Sequence, residues 1–289
     1  MSASRTETVS PVPGVPAKSS QLPFRIAIAG MGAIGTAVAK AIVQGDIPGA
    51  TLVAVSARDE HKCRATVDAL GSRAPVLPVA ELGRHADIVI ECAPAAFLDD
   101  IVRPVVQSGK TVIVLSVGAL LSRFDLVEVA RQNGGQIIVP TGALLGLDAV
   151  CAAAEGKINS VTMTTRKPIN SLIGAPYLVE NKIDIAGIKE PLRIFQGSAR
   201  EAAVGFPANL NVAAALSLAG IGPDRTMLEV WADPGVTRNT HHIVVDADSA
   251  RLEMTIANVP SENPRTGRIT ALSVIATLKK LYAPLRVGT

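Results

Sequence analysis

The sequence has few aromatic residues, few cysteines and no long hydrophobic run, and each shortage argues against a class of protein. Aromatic side chains make up only 3% of the chain, which disfavours a protein that stacks nucleic-acid bases on aromatic rings. No apolar segment approaches the roughly 20 residues that a transmembrane helix needs. The three cysteines, Cys63, Cys92 and Cys151, lack the spacing of a zinc motif or a disulfide framework. We therefore expect free thiols in a cytoplasmic protein and no metal site.

An excess of charge of one sign is also missing, since the net charge is only +3 over 289 residues. This balance gives no reason to expect a nucleic acid or a membrane surface as partner. Hydrophobic residues account for 48% of the chain, enough for the core of one large or two modest domains. Residues 1–22 are rich in Ser, Pro and Thr and lack the apolar core of a signal peptide, so a disordered tail is expected there.

One stretch near the start of the chain carries a specific functional pattern. Residues 24–43 read FRIAIAGMGAIGTAVAKAIV, in which an apolar run, a glycine-rich turn and an apolar segment at helical spacing follow one another. Strand, turn and helix in this order are typical of dinucleotide binding. Gly30 permits a tight turn, Gly32 the approach of a pyrophosphate, and Gly35 close packing of helix on strand. The predicted cofactor contacts of this stretch are Gly30, Gly32, Ala33, Ile34 and Gly35.

The end of the second predicted strand, residues 51–56, bears on the choice between NAD and NADP. An NAD-selective site usually has an acidic residue there, whereas this chain continues with Ser56, Ala57 and Arg58. A guanidinium forks onto phosphate oxygens, so Ser56 and Arg58 could receive a 2′-phosphate. Asp59 comes late and could instead cap the next helix. We expect a site that accepts NADP, with NAD as the other candidate.

Strands and helices alternate through the first half of the chain. The further strands are predicted over 86–92, 111–115 and 136–139. A helix is predicted over 122–133. This rhythm is typical of an α/β fold with a Rossmann-type doubly wound parallel sheet, whose ligand crevice lies at the carboxyl ends of the strands. Ala93 follows the third strand and is expected at that crevice. The dinucleotide-binding domain is assigned to residues 23–142.

After this domain the pattern changes to that of a smaller α+β catalytic domain with a mixed or antiparallel sheet, assigned to residues 143–264. Its strands are predicted over 157–165, 192–196, 227–232, 240–246 and 251–258, the last three as antiparallel strands. An apolar helix is expected to begin within 207–212. The C-terminal helix, within residues 265–289, is expected to pack back on the nucleotide domain.

A pair of adjacent histidines, His241 and His242, lies in one of these predicted strands. Histidine is suited to proton transfer near neutral pH. Neighbouring strand residues point to opposite faces, so only one of the two can face the crevice. The pattern of residues alone does not choose between them.

Two further pairs of polar residues are candidates for ligand contacts. Asn209 and Asn211 stand at the start of the apolar helix, where they could cap it or contact nicotinamide or substrate. Arg166 and Lys167 follow the strand predicted over 157–165, where they could be solvated or could bind carboxylates.

From Phe24 onward the chain resembles the L-aspartate dehydrogenases, which are NAD(P)-dependent amino-acid dehydrogenases. The segments that carry the resemblance are GMGAIG, TGALLGLDA, TTRKP, FQGSAREAAVGFPANLNVAAAL, ADPGVTRNTHHI and ENPRTG. The resemblance implies that His241 is the catalytic histidine and that Ala143 and Asn211 contact the cofactor. The usual final motif, NPKTS, is NPRTG in this chain and ends in Gly267.

The resemblance also implies an activity, the oxidation of L-aspartate to iminoaspartate, which hydrolyses to oxaloacetate and ammonia, and the reverse reductive amination. His241 would serve as the base, while Arg166 or Lys167, together with Asn209, would bind the dicarboxylate substrate. Because iminoaspartate feeds pyridine nucleotide synthesis, a biosynthetic role is expected. A homodimer is the default assembly.

Several alternatives stay open on the sequence. Sugar dehydrogenases of the glucose–fructose oxidoreductase type have a Glu-Lys-Pro motif, whereas residues 91–94 read ECAP and contain no lysine. Dihydrodipicolinate reductases continue their His-His pair to a lysine, whereas residues 243–245 read IVV. Homoserine dehydrogenase is a more distant alternative. A non-catalytic dinucleotide sensor would keep the glycine turn and lose the acid–base residue.

Overall fold

The structure is a computed structural model that describes residues 24–206, 210–260 and 267–288. The tail predicted over residues 1–22, the candidate Asn209 and residues 263–266 of the final motif lie outside the described residues. Within the described ranges the chain forms two five-stranded sheets, each with its own hydrophobic core.

The first sheet is entirely parallel, with the strand order β2-β1-β3-β4-β5. Its strands are β1 (Phe24–Ala29), β2 (Ala50–Ser56), β3 (Ile88–Glu91), β4 (Thr111–Val114) and β5 (Gln136–Ile138). The central strands are rich in Ile, Val and Ala because helices bury both faces of a parallel sheet. The predicted Rossmann-type sheet is confirmed.

Helices cover both faces of this sheet. They are α1 (Ala33–Val43), α2 (Glu60–Ala69), α3 (Leu82–His85), α4 (Leu98–Gln107), α5 (Val117–Ser122) and α6 (Asp125–Asn133), with 3₁₀ turns at Val79–Glu81 and Ala95–Phe97. Val38 and Ile42 of α1 pack on one face of β1, and Ile101 and Val105 of α4 pack on the other face. The helix predicted over 122–133 is observed as α6, and the short helix α5 before it was not predicted.

The second sheet is mixed, with the order β10-β9-β6-β8-β7. Its strands are β6 (Ile158–Lys167), β7 (Leu192–Ser198), β8 (Thr226–Ala232), β9 (Thr240–Ala247) and β10 (Arg251–Ala257). The three strands predicted as antiparallel, β8, β9 and β10, do alternate in direction, and β8 pairs antiparallel with β7. However, β8 is not the neighbour of β9, because the segment 233–239 passes the end of β6, which lies between them and is parallel to β8.

Helices cover one face of this second sheet. They are α7 (Leu147–Ala154), α8 (Pro176–Glu180), α9 (Ala199–Gly205) and α10 (Asn211–Ala219), with a 3₁₀ turn at Ile169–Ser171. Val161 of β6 and Ile243 of β9 share a buried cluster with Phe206 and with Leu216 of α10. The other face has no covering helix among the described residues, and Met227 and half-buried Trp231 lie on it.

The last helix, α11 (Ile269–Tyr282), packs against α1 at the first sheet. Val274 and Leu278 are buried in the cluster that contains β1, and the ring of Tyr282 stacks on that of Phe24 with 3.7 Å between centroids. The chain therefore returns to its first domain after completing the second. No helix in the described part of the chain is long and apolar enough to span a bilayer.

Candidate active site

The turn between β1 and α1 requires glycine at two positions and leaves space at a third. Gly30 has φ of +100°, and a Cβ there would lie 2.5 Å from the carbonyl oxygen of Cys92. A Cβ on Gly35 would overlap the carbonyl oxygen of Gly30. Gly32 lines a cleft, and its Cβ position has no atom within 4 Å. A side chain at this third position would fill the space that a phosphate group needs.

The N-terminus of α1 suits an anion. Gly32 caps the helix without a side-chain hydrogen bond, and the first turn contains no acidic residue. The unsatisfied N–H groups and the positive end of the helix dipole therefore favour a pyrophosphate. The Gly30 N–H donates to the Ser56 carbonyl at 2.7 Å, which ties the turn to the end of β2. This arrangement fits a dinucleotide.

At the end of β2, the structure supports the role predicted for Asp59 but not the role predicted for Ser56. Asp59 caps α2 by accepting the Lys62 N–H at 2.9 Å. Ser56 is buried, which removes its hydroxyl from an incoming phosphate. Arg58 is exposed beside the glycine turn but does not line the cleft.

The cleft, of about 610 Å³, lies between the carboxyl ends of the first sheet and strands β6 and β9 of the second. It brings together the predicted residues Gly32, Ala33, Ile34, Ala93, Ala143, Lys167, Asn211 and His241. Gly30 and Gly35 shape the adjoining turn, while Arg58 and Arg166 do not line the cleft. No group of three or more His, Cys, Asp or Glu side chains among the described residues is placed to hold a metal ion.

His241 faces this cleft from β9 and is 3% exposed. Its Nδ1 lies 3.1 Å from Oγ1 of Thr165, which fixes the plane of the imidazole. Burial, together with the positive charge of Lys167, lowers the pKa of His241 to about 3, so the ring is neutral. His242 points to the opposite face, where its Nδ1 lies 3.0 Å from Oγ1 of Thr255. The alternation of β9 thus selects His241.

Lys167 and Arg166 belong to β6, so the prediction that they follow the strand is wrong. Because β6 pairs with β8 up to Lys167, the two side chains point to opposite faces. Lys167 is buried in the cleft, and desolvation lowers its pKa to about 8. Arg166 bonds Asp233 at 3.0 Å and lies over Trp231 on the other face. The cleft receives only Lys167 of the pair.

Three polar side chains of the cleft occupy neighbouring positions on adjacent strands. The Asn258 N–H donates to the Asn239 carbonyl at 2.8 Å, which continues the β9–β10 ladder by one pair. Extending the β6–β9 register by one pair beyond Arg166 and Thr240 places Lys167 opposite Asn239. We call Asn258, Asn239 and Lys167 the polar rung. The adjacent rung on the same face consists of Ile256, His241 and Thr165.

Two members of the polar rung have an unsatisfied acceptor. Oδ1 of Asn239 and Oδ1 of Asn258 are buried and have no hydrogen-bond partner among the described residues. The Asn258 amide cannot be turned round, because its Nδ2 donates to the Ala143 carbonyl at 2.9 Å. Buried acceptors without partners are uncommon in folded proteins, so the fixed oxygen of Asn258, and that of Asn239 in its present orientation, point to a ligand that donates N–H or O–H groups.

Glu91, at the end of β3, fixes the backbone on the side of the cleft that the first domain forms. Its carboxylate is fully buried. It accepts the N–H groups of Leu115 and Ser116 at 3.0 and 2.8 Å and the Ser116 hydroxyl at 2.9 Å. Desolvation raises its pKa despite these bonds. Asn211 of α10 braces the same wall by accepting the Gly118 N–H at 3.0 Å.

The sequence-based prediction missed Thr165, Asn239, Asn258 and Glu91. Thr165 and Lys167 stand two apart, so a strand predicted to extend to residue 167 would have shown both on one face. A glutamate at the end of the apolar run DIVIE was a visible anomaly. Asn258 had no signal, because only the β9–β10 register places it near His241.

Comparisons with known proteins match both halves of the chain to dehydrogenase families. Residues 148–281 match the family described as aspartate dehydrogenase, C-terminal, and residues 30–140 match that described as homoserine dehydrogenase, NAD binding domain. The L-aspartate dehydrogenase of Bradyrhizobium diazoefficiens is 61% identical over 94% of this chain and 95% of its own length. The L-aspartate dehydrogenase 3 of Bordetella bronchiseptica is 60% identical over 94% of this chain and all of its own length.

Among solved structures, aspartate dehydrogenase from Thermotoga maritima superposes with a TM-score of 0.68, covering 92% of this chain and 99% of that one. The apo scyllo-inositol dehydrogenase of Lactobacillus casei superposes with a TM-score of 0.53, covering 90% of this chain and 87% of that one. At 20% and 14% sequence identity, these two likenesses concern the fold alone. The identities of about 60% over nearly the whole chain show more, and the chain belongs to the L-aspartate dehydrogenase family.

Proposed function

We propose that this protein oxidises L-aspartate to iminoaspartate with NAD or NADP, and that it catalyses the reverse reductive amination. Iminoaspartate takes up water and releases oxaloacetate and ammonia. The names of the relatives with about 60% identity support the reaction. The observation that carries the proposal is that His241 is buried in the cleft that the glycine turn also lines.

The residues of the first domain suit a dinucleotide. Gly32, Ala33 and Ile34 at the start of α1 would bind the pyrophosphate with backbone N–H groups. Ala93, at the end of β3, together with Ala143 and Asn211, would bind the nicotinamide end. The bound cofactor supplies the acceptor for the hydride that leaves C2 of aspartate.

His241 would act as the general base. A protonated amine has no free lone pair to form the C=N bond, so a proton must leave nitrogen as the hydride leaves carbon. When Nδ1 of His241 donates to Thr165, Nε2 carries the lone pair that accepts this proton. Once that proton has passed to solvent, the same nitrogen would deprotonate the water that adds to the imine. The two carboxylates of the substrate would offset the positive charge of Lys167, which adds to burial in depressing the pKa of His241, so this pKa should rise on binding.

Lys167 would bind a carboxylate of the substrate. It is the member of the Arg166–Lys167 pair that faces the cleft, and a buried cation attracts a carboxylate more strongly than an exposed one. Arg58, exposed after β2, would bind the 2′-phosphate of NADP.

The test is an assay of L-aspartate oxidation by the purified protein at alkaline pH, with NAD and NADP in parallel and with homoserine and scyllo-inositol as competing substrates. We expect reduction of the nicotinamide with aspartate alone, and NADPH-dependent incorporation of ammonia into oxaloacetate in reverse. Binding of cofactor without turnover of any substrate would favour the non-catalytic sensor, and turnover of homoserine alone would favour the other dehydrogenase.

We further propose a cytoplasmic homodimer that contributes to pyridine nucleotide synthesis. The three free cysteines are consistent with a reducing compartment. The face of the second sheet that carries Met227 and Trp231 is a candidate dimer surface, because it has no covering helix among the described residues. Light scattering in solution would give the oligomeric state.

A further inference from the structure

We infer that the two unpartnered amide oxygens, Oδ1 of Asn258 and Oδ1 of Asn239, form the receptor for the substrate's amino nitrogen, and that Asn258 thereby sets selectivity for ammonia. The inference rests on the proposed function, since it assigns a subsite within the aspartate cleft. Both oxygens are buried, both residues line the cleft, and neither oxygen has a hydrogen-bond partner among the described residues.

The chemistry of the ligand follows from the type of atom that is left unsatisfied. An amide oxygen only accepts hydrogen bonds, so its ligand must present N–H or O–H groups. An ammonium or iminium nitrogen carries several N–H donors on one atom and can therefore engage both oxygens. A carboxylate has no donor and would be repelled. The carboxylates of aspartate must accordingly bind elsewhere on the cleft wall.

The position of Lys167 supplies that second site at a suitable spacing. Asn239 pairs with Asn258, and extending the β6–β9 register by one pair places it beside Lys167. Side chains opposite one another on adjacent strands are about 5 Å apart at Cβ. In an α-amino acid, the amino nitrogen and the α-carboxylate are attached to the same carbon. Acceptors for the nitrogen next to a cation for the carboxylate match this arrangement.

The position of His241 agrees with the same assignment. It occupies the rung adjacent to Asn239 and Asn258 on the same face, since it pairs with Ile256 and Asn258 follows two residues later. A nitrogen held by the two oxygens would therefore lie beside the group that must remove its proton. The cofactor carboxamide is the competing N–H donor, and the experiment separates the two.

Asn258 is held in place from two sides. Its Nδ2 donates to the Ala143 carbonyl, and its amide packs on Gly267, where a Cβ would lie 3.2 Å from Oδ1. Any side chain at position 267 would therefore press on the acceptor. This contact gives a second way to move Oδ1 without removing it, because a Cβ at position 267 would make Asn258 shift by a few tenths of an ångström.

The experiment compares reductive amination of oxaloacetate by ammonium and by methylamine in the wild-type protein and in Asn258→Ala. Methylamine has one N–H fewer and a methyl group that needs space. We expect Asn258→Ala to raise the KM for ammonium at least tenfold and to lower the preference for ammonium over methylamine by a similar factor. The KM for oxaloacetate and the Kd for NADPH, measured by fluorescence titration, should stay within about twofold.

Three further variants sharpen the test. Asn258→Asp keeps an acceptor oxygen and loses the donor to Ala143, so it should retain more of the ammonium preference than Asn258→Ala. Gly267→Ala should shift the ammonium KM in the same direction by a smaller factor. Asn159→Ala, at an exposed asparagine bonded to Asp246 on β9, is the matched control and should change none of these values.

The outcomes distinguish the possible errors. A higher Kd for NADPH with an unchanged ammonium KM would overturn the inference and assign the oxygen to the cofactor. An unchanged amine preference in a folded Asn258→Ala would overturn it as well, as would equal losses in Asn258→Ala and Asn258→Asp. A wild-type protein inactive on aspartate would overturn the proposed function, and the amine subsite with it.

Discussion

Replacing Lys167 by methionine tests the role of the buried cation most sharply, because stability and substrate binding should change in opposite directions. Desolvation lowers the pKa of Lys167 from 10.5 to about 8. At about 1.4 kcal/mol per pKa unit, the folded protein disfavours the charged form by about 3 kcal/mol. Methionine has a similar length and no charge but loses the polar interaction that Lys167 makes, so Lys167→Met should raise the free energy of unfolding at neutral pH by only part of this amount, roughly 1–2 kcal/mol.

The same variant should bind aspartate less well. A hydrogen bond to a charged group contributes about 1.5–3 kcal/mol, so its loss should raise the KM for aspartate about 10- to 100-fold. The KM for the cofactor should not change. Arg166→Met is the matched control, since the neighbouring cation lies on the other face with Asp233 and should leave the KM for aspartate unchanged.

The pH dependence gives an internal check. Between pH 8 and 10.5 the unfolded chain retains the Lys167 proton that the folded protein has released, so the stability of the wild type should rise with pH in this window. The stability advantage of Lys167→Met should shrink accordingly. A variant that is less stable than the wild type at pH 7, with an unchanged KM for aspartate, would refute the reasoning.

Three other perturbations have defined outcomes. Arg58→Ala should raise the Kd for NADP about tenfold or more and leave that for NAD nearly unchanged, as measured by calorimetry; equal effects on both would remove Arg58 from the 2′-phosphate site. The pKa of His241 is about 3 in the folded protein against a usual 6.5, so the unfolded chain takes up a proton first as the pH falls below 6.5. The free energy of unfolding of the wild type should therefore fall by on the order of 3 kcal/mol by about pH 4. Urea titration should find a smaller fall in His241→Asn. Glu91→Gln should lower the free energy of unfolding by about 1–3 kcal/mol, since an amide cannot accept all three bonds at the ends of β3 and β4; an unchanged midpoint in urea would contradict that role.

The first domain was predictable from the sequence because its signals are local. Buried parallel strands are short apolar runs, and Gly30 and Gly35 are required by contacts within one strand–turn–helix unit. The second sheet was less predictable, because the pairing of β8 with β6 depends on a crossover that no local pattern encodes.

Site residues could be predicted where the residue type itself suggested a chemical role. They could not be predicted where the strand register determines which side chains face the cleft. Alternation showed that only one of His241 and His242 could face the cleft, and the family resemblance indicated which one. Lys167 and Arg166 could not be separated without the true end of β6. Asn258 comes near His241 only through the β9–β10 ladder, which joins segments on either side of a turn.

The central claim is that the imidazole of His241, held in the cleft between the two domains, takes the proton from the substrate nitrogen. The most direct measurement is the kcat of His241→Ala for NAD(P)-dependent oxidation of L-aspartate, with circular dichroism and the Kd for NADPH as controls. The account predicts a kcat lower by about 10²–10⁴-fold with an unchanged fold and unchanged cofactor binding. A folded His241→Ala protein that turns over aspartate at the wild-type rate would contradict it.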